Sequence, residues 1–397
     1  MAMVKKPFNG QLNTNSVYAT IFNMIINQFV HKPSLANNYN EFNGMFTVDA
    51  GLYGDTILSY AQDIGETEFW LGHDAEAVNL LDVKRAADPK CQATSVDTYR
   101  KVWVSTDRYL TKQAWSTENA FQQFQDNVIG LLKDAKEIQR TTMLNVLIGT
   151  YDSSATRGTV EFDITTAVGG ATGLDAKMLT AEAISEEFSN LDVELKDYNR
   201  DFNEYGFLRS YNSNDLIYIG NAKWLNKMSQ NVRTIYHEAG MLDKLTAHVL
   251  PARYFGHKVT SSTIANYVYD VSTNPTGELD ESSGVYTVHT GIATVRALDE
   301  GDFTDGVDTI HVRGGDVIPA GYIVEAGNFY VEDADIICKV LTKDSIKFLD
   351  GFEVETEFWN PRGLITNNYI IYGYSNVNDA EDQCVMKDAP FLTIKAV

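Results

Sequence analysis

One long stretch of helical periodicity constrains this fold more than any other feature. From Ser116 or Thr117 to about Ile148, apolar residues recur at Phe121, Phe124, Val128, Leu131, Leu132, Ala135, Ile138, Met143, Val146 and Leu147, three or four positions apart, with Gln, Asp, Lys and Arg between them. Ser116 or Thr117 offers an N-cap, and Gly149 a C-terminal stop. About 32 residues rising 1.5 Å each make a rod of roughly 45–50 Å. That exceeds the helices of ordinary domains and predicts a spine against which the rest of the chain is arranged. A dimeric coiled coil is the alternative, opposed by an irregular pattern of e and g charges.

The segments around the spine differ in character. Residues 1–48 hold nine Asn between positions 9 and 43 and few charges. One amphipathic stretch, with Val17, Ile21, Met24, Ile25 and Phe29 at helical spacing, interrupts what otherwise reads as an extended arm. Residues 49–115 contain two alternating strands, within 56–72 and 96–110, joined by a charged segment over 73–95 with a helical turn or two. The pair predicts a projecting ribbon, and an isolated ribbon is marginal in water, so it leans on a partner. Beyond the spine, a helix is predicted over 179–195. In 214–242 a buried strand from Leu216 to Ile219 turns at Gly220-Asn221 into another helix, which suggests a sheet covered by helices. Residues 258–340 carry Gly or Pro breakers every 8–12 positions and read as a small β-module, acidic between Glu278 and Asp308. Long strands return in FEVETEFWN and NYIIYGYS.

Charge and cysteine usage narrow the function classes. Acidic side chains number 54 against 32 basic, a formal charge of -22. That opposes a free-standing nucleic-acid reader and docking on an anionic membrane, and suits solubility at high concentration. The three cysteines, Cys91, Cys338 and Cys384, are far apart and match no zinc spacing, so neither a disulfide scaffold nor a metal site is expected. No apolar signal region follows Lys5 and Lys6, and the chain is expected to be made and used without crossing a membrane.

A search for chemistry finds no site. Gly169-Gly170-Ala171-Thr172-Gly173 lacks the Gly-Lys-Ser/Thr of a phosphate cradle and reads as a loop. His237-Glu238 has Met at position 241, where a zinc-protease helix needs its second histidine. Asp299, Asp302, Asp305 and Asp308 miss the register of a calcium loop and read as a solvated acidic turn. Arg313-Gly314-Gly315-Asp316 has one glycine too many for an adhesion tripeptide. No Gly-x-Ser-x-Gly elbow occurs, and no cysteine lies in an activating context. The chain is therefore read as no enzyme, with no cofactor and no metal.

The order of parts resembles the major capsid protein of tailed bacteriophages, the Hong Kong 97-type fold. DLIYIGNAKWLNKM (215–228) looks like the strand, turn and helix of that family's axial domain, and FWNPRGLITNNYIIYGYS (358–375) resembles the strand returning to its peripheral domain. The resemblance implies an α+β fold with residues 1–48 as N-arm, 49–115 as extended loop, and 116–178 as spine helix and peripheral domain. Residues 179–257 would be the axial domain, 258–340 an inserted acidic β-module, and 341–397 the return. Size and the lack of a long cleavable prodomain resemble small podophages that use a separate scaffolding protein. The resemblance further implies pentamers and hexamers of this chain forming an icosahedral head, assembled in the host cytoplasm around double-stranded DNA, with a portal protein as a further partner. Covalent cross-linking, known in some relatives, is not expected, because no Lys–Asn–Glu triad is legible.

Physical reasoning points the same way. An arm and a ribbon that cannot bury their own apolar residues need neighbours, and heterologous contacts that close into rings build shells. Phe69, Trp70 and Trp103 on the ribbon are the candidate anchors, packing within the subunit being the alternative. Lys5, Lys6 and Lys32 read as ordinary solvated lysines that would at most soften repulsion from DNA. Two rivals remain: a tail or receptor-binding virion protein, opposed by the spine helix, and a metal-dependent hydrolase using the acidic module.

Overall fold

The spine is present as a single helix, α2 (Glu118–Thr150), 33 residues long. The computed structural model describes residues 40–50, 56–65, 67, 85–107, 118–227, 247–259, 269–270, 286–288, 294–375 and 384–397. The amphipathic stretch at 17–30, the candidate caps Ser116 and Thr117, His237-Glu238 and the lysines at 5, 6 and 32 lie outside them. The chain divides into two units, and α2 runs through both: its first part belongs with Tyr99–Ile138 and Phe352–Gly373, its last with Gln139–Gly351, Tyr39–Thr98 and Tyr374–Val397.

The two parts of α2 answer to different surroundings. In the first, Leu132 and Lys136 are buried while Leu131 and Lys133 are exposed, as a one-sided stripe requires. In the second, every residue from Met143 to Thr150 is buried, so this end is enclosed all round and leaves no face for a coiled-coil partner. Gly149 is not the stop expected from sequence, since the helix continues through it. Its role is close approach: a Cβ built there would meet the Tyr254 carbonyl oxygen at 2.0 Å.

A four-stranded sheet runs in the order β1–β17–β18–β4: β1 (Thr47–Asp49), β4 (Thr98–Asp107), β17 (Phe348–Asn360) and β18 (Ile365–Tyr374). The smaller unit holds most of β4 and β18, and β17 from Phe352 onward. Within this unit Lys136 of α2 pairs with Glu353 at 2.6 Å, and its ammonium lies 5.4 Å from the centre of the Tyr372 ring. Lys133 pairs with Glu355.

The larger unit is built on a five-stranded sheet in the order β5–β19–β16–β6–β7: β5 (Thr159–Phe162), β6 (Leu216–Asn221), β7 (His248–Leu250), β16 (Ile336–Thr342) and β19 (Phe391–Ala396). The central strands, LIYIGN and IICKVLT, are buried on both faces and therefore read as nearly continuous apolar runs rather than alternating ones. Helix α4 (Gly173–Lys196) covers one face with Ala181, Ile184, Phe188, Leu191 and Leu195, spaced three and four apart. Phe188 stands edge-on between Phe162 and Tyr218. Each such side chain stabilises the fold by about 1.5–3 kcal/mol through burial. The end of α2 covers the other face, where Tyr151 packs edge-on against Phe391 at 4.8 Å.

The Gly-rich passage before α4 is a connector. Asp163 caps the short helix α3 (Ile164–Val168) by accepting from the Thr166 amide, and Gly169 ends it with a left-handed φ of 53°. The expected strand–turn–helix also forms, with one difference: β6 runs through Gly220-Asn221 and passes directly into α5 (Ala222–Lys227), whose Lys223 amide donates to Asn221 Oδ1.

Between β7 and β16 the strands make small sheets around a hydrophobic cluster of their own. β8 (Gly256–Lys258), β11 (Val295–Ala297) and β15 (Phe329–Glu332) pair in the order β11–β15–β8. β9 (Tyr269–Asp270), β10 (Tyr286–Thr287) and β14 (Ile323–Val324) form a second sheet, and β12 (Gly301–Thr304) with β13 (Thr309–Val312) a hairpin. Val295, Ala297, Phe303, Val312, Ile318, Phe329 and Val331 fill the space between them.

One expected pairing is wrong. The strands in 56–72 and 96–110 were expected to form one ribbon, but β2 (Thr56–Ala61) pairs with β3 (Lys90–Ser95), and β4 lies beside β18 in another sheet. The sequence KCQATS has no apolar alternation, so β3 was invisible in a segment read as a linker. This ribbon is tied to its own unit. Gln92 donates to the Val385 carbonyl at 2.6 Å, Lys347 to Ser59 at 3.1 Å, and Asp63 accepts from Arg200 and from the Leu208 amide. The Arg200 bond, with the Leu208 and Ile64 amides, holds the Asp63 carboxyl down at about 2. A lowered carboxyl contributes stability above its unfolded value of about 4, lost as pH falls through the folded value. The Leu208 amide is thus expected to lose protection from hydrogen exchange between about pH 4 and 2, and Asp63→Asn to remove that transition.

Candidate assembly surface

The stretch of the four-stranded sheet that lies in the smaller unit, β17–β18–β4, has two unlike faces. Strand alternation turns Glu353 and Glu355 toward the lysines of α2, with Thr366, Ile370 and Tyr372 buried on β18. The opposite face is aromatic. Trp103 of β4 stacks on Tyr369 of β18 at 6.0 Å, and Tyr99 on Phe352 of β17 at 5.8 Å. Val354 and Phe358 continue the row along β17, and Ser105 donates to Asn367 beside it. Trp103 is 54% and Phe358 64% exposed. Strand β18, ITNNYIIYGY, carries no charged residue, while on β4 parity places Lys101 on this face and Asp107 at its end. An aromatic sheet face this poor in charge is a marked departure on a chain of net charge -22.

A second apolar face lies on the β2–β3 ribbon in the larger unit. Leu58 opposes Ala93 and Tyr60 opposes Cys91, all facing away from Gln92 and Ser59. Leu58 and Tyr60 are more than half exposed.

The sequence model of the Phi29-like phage major capsid protein family matches residues 3–379. The chain belongs to that family. Its fold is also that of chains in solved phage structures. A chain in the capsid structure of Staphylococcus phage Andhra superimposes with a TM-score of 0.53 at 12% identity, covering 95% of this chain and 91% of that one. A chain in the structure of the head fiber and inner core protein gp22 of native bacteriophage P68 gives 0.52 at 13% identity, covering 93% and 87%. No curated protein sequence matches. This is therefore a phage major capsid protein, a structural component of the virion and not an enzyme, with the α+β fold that the resemblance implied.

Capsid membership gives the exposed aromatics a context. Of the three anchors picked from sequence, Trp103 lies on the aromatic face, while Phe69 and Trp70 fall outside the described residues. Tyr369, Phe352, Phe358 and, on the ribbon, Leu58 and Tyr60 were missed. The alternation of FEVETEFWN was the available signal for Phe358.

The acidic residues of the small sheets have structural partners. Asp305 accepts from the amides of Val307 and Asp308 and closes the β12–β13 turn. Asp302 and Glu300 flank His311, both at 2.7 Å, and their hydrogen bonds raise its affinity for a proton. Among the described residues, no group of three His, Cys, Asp or Glu side chains is arranged to hold a metal ion. Nor is any helix among them long and apolar enough to cross a membrane.

Proposed function

We propose that copies of this chain tile an icosahedral head as pentamers and hexamers and enclose packaged double-stranded DNA. Assembly takes place in the host cytoplasm on a separate scaffolding protein, with a portal protein at one vertex. The observation that carries this reading is the charge-poor aromatic face around Trp103 in a chain whose family match spans residues 3–379. Phe69, Trp70 and Trp103 are proposed as anchors, joined by Phe358 and Tyr369. A heterologous contact, in which this face meets a different surface of the next copy, closes rings rather than pairs. Contact with DNA is non-specific, since a net charge of -22 opposes sequence readout.

The six-part division of the chain is also a proposal. Residues 258–340 are read as an inserted module, supported by the separate hydrophobic cluster among β8 and β10–β15. The pairing of β16 with β6 and β19 favours ending that module before Ile336. The test of the assembly reading is sedimentation and negative-stain microscopy of the chain expressed alone and with its neighbouring genes. Rings or closed shells in either sample are expected; monomers and small oligomers in both would refute the reading.

A further inference from the structure

A cluster of charged groups joins the five-stranded sheet to the β11–β15–β8 sheet within the larger unit. Lys339, at the centre of β16, is fully enclosed. Its Nζ donates to the Tyr151 carbonyl and to Thr393 Oγ1, both at 2.7 Å, and lies 3.4 Å from Asp152 Oδ1. Asp152 follows the end of α2, and its Oδ2 meets Nδ1 of His257 on β8. The other ring nitrogen, Nε2, has two neighbours: Asp333 Oδ2 at 2.6 Å and Lys395 Nζ at 2.7 Å. Lys395, on β19, is also 3.1 Å from Asp333. Asp333 lies in the link from β15 to β16, so the chain leaves one sheet for the other at the carboxylate the imidazole touches.

The two neighbours of Nε2 require opposite protonation states. A protonated imidazole donates from both nitrogens and bridges Asp152 to Asp333, with Lys395 as a like charge alongside. A neutral ring that donates from Nδ1 to Asp152 presents a lone pair at Nε2, which accepts from Lys395 and repels the Asp333 oxygen. Two carboxylates and two ammonium groups already balance, so the proton on the ring decides which contact is made.

We propose that His257 is a proton-operated joint: protonated, it clamps the β15–β16 link to the end of α2, and deprotonated, it releases Asp333 and turns to Lys395. The groups facing it are Asp152 from the end of α2, Asp333 from the link, Lys395 from β19 and, behind Asp152, Lys339 from β16. Burial would lower the affinity of the ring for its proton, but the hydrogen bonds to both carboxylates outweigh it and raise the pKa above the ordinary 6.5. Burial likewise opposes the ionised form of Asp152, yet Lys339, His257 and Lys395 hold that carboxyl well below the usual range. The His257 bond does the same for Asp333. A raised histidine contributes stability below its unfolded value of about 6.5 and loses it as pH rises through the folded value; the carboxylates stay ionised throughout that window. The joint therefore opens as pH rises above the ordinary histidine value of about 6.5.

The test is a histidine ¹³Cε1 titration of the full-length, unassembled chain from pH 5.5 to 9, which reads the joint independently of any shell. One resonance with a midpoint above 6.5 should disappear in His257→Gln. Asp333→Asn should move its midpoint down by about one pH unit or more, and Lys395→Met should move it up. Asp302→Asn identifies His311, the other raised histidine among the described residues, by moving that resonance alone. Where His257→Gln does not fold, the opposite shifts in the Asp333 and Lys395 variants identify the resonance instead. A His257 midpoint at or below 6.5, or one that neither variant moves, would overturn the proposal.

Discussion

Replacing Trp103 and Phe358 together by serine is expected to abolish closed particles while leaving the subunit folded. Both side chains are more than half exposed in the subunit, so neither anchors its core, and the main intramolecular loss is the stacking of Trp103 on Tyr369. The expected cost to subunit stability is about 1 kcal/mol. Between subunits the balance is different. Buried aromatic anchors are each worth about 2 kcal/mol or more at an interface. Two of them lower the association constant of each contact roughly a thousandfold. A shell repeats that contact, so the loss compounds. Circular dichroism and thermal melting should resemble wild type, while sedimentation shows free subunits. Particles at wild-type yield would mean that this face is not a subunit contact.

The second large effect is expected inside the subunit. Gly149→Val places a branched side chain where even a Cβ would sit 2.0 Å from the Tyr254 carbonyl oxygen and 2.6 Å from its carbon. Both atoms are backbone, so no side chain can rotate away, and the end of α2 must separate from the 252–255 turn. We expect a loss of about 4 kcal/mol or more, enough to deplete the soluble chain. Gly44→Ala is the control. Gly44 also lies within a helix, α1 (Asn40–Phe46), with nothing within 4 Å of its would-be Cβ. That change is expected to stabilise by about 0.5–1 kcal/mol. Urea denaturation distinguishes the two, and equal effects would show that helix propensity rather than the carbonyl contact decides.

What was legible in the sequence follows the range over which each signal acts. The periodicity of α2 is local and survives reading residue by residue, as does the passage from LIYIGN into AKWLNK. Strand pairing is not local. The partners of β2 and β4 depend on which edges are free, and KCQATS carries so weak a pattern that β3 went unseen beside the stronger β4. The strand IICKVLT was grouped with the Gly-rich segment before it because spacing of breakers marks turns, not sheets; its place at the centre of the main sheet depends on β6 and β19, each far away in the chain. Gly149 looked like a stop because glycine often ends helices, whereas here a distant carbonyl makes it necessary. Trp103 could be chosen as an exposed aromatic on an alternating strand. The stacking partners that turn it into part of a face come from β17 and β18, some 250 residues later. The joint at His257 draws on positions 152, 257, 333, 339 and 395, a combination no spacing rule relates.

A reconstruction by electron cryomicroscopy of particles formed by this chain tests the central claim most directly. The account predicts closed shells of pentamers and hexamers in which Trp103, Tyr369 and Phe358 are covered by a neighbouring copy. Particles in which the outer face of β17–β18–β4 is open to solvent would contradict it.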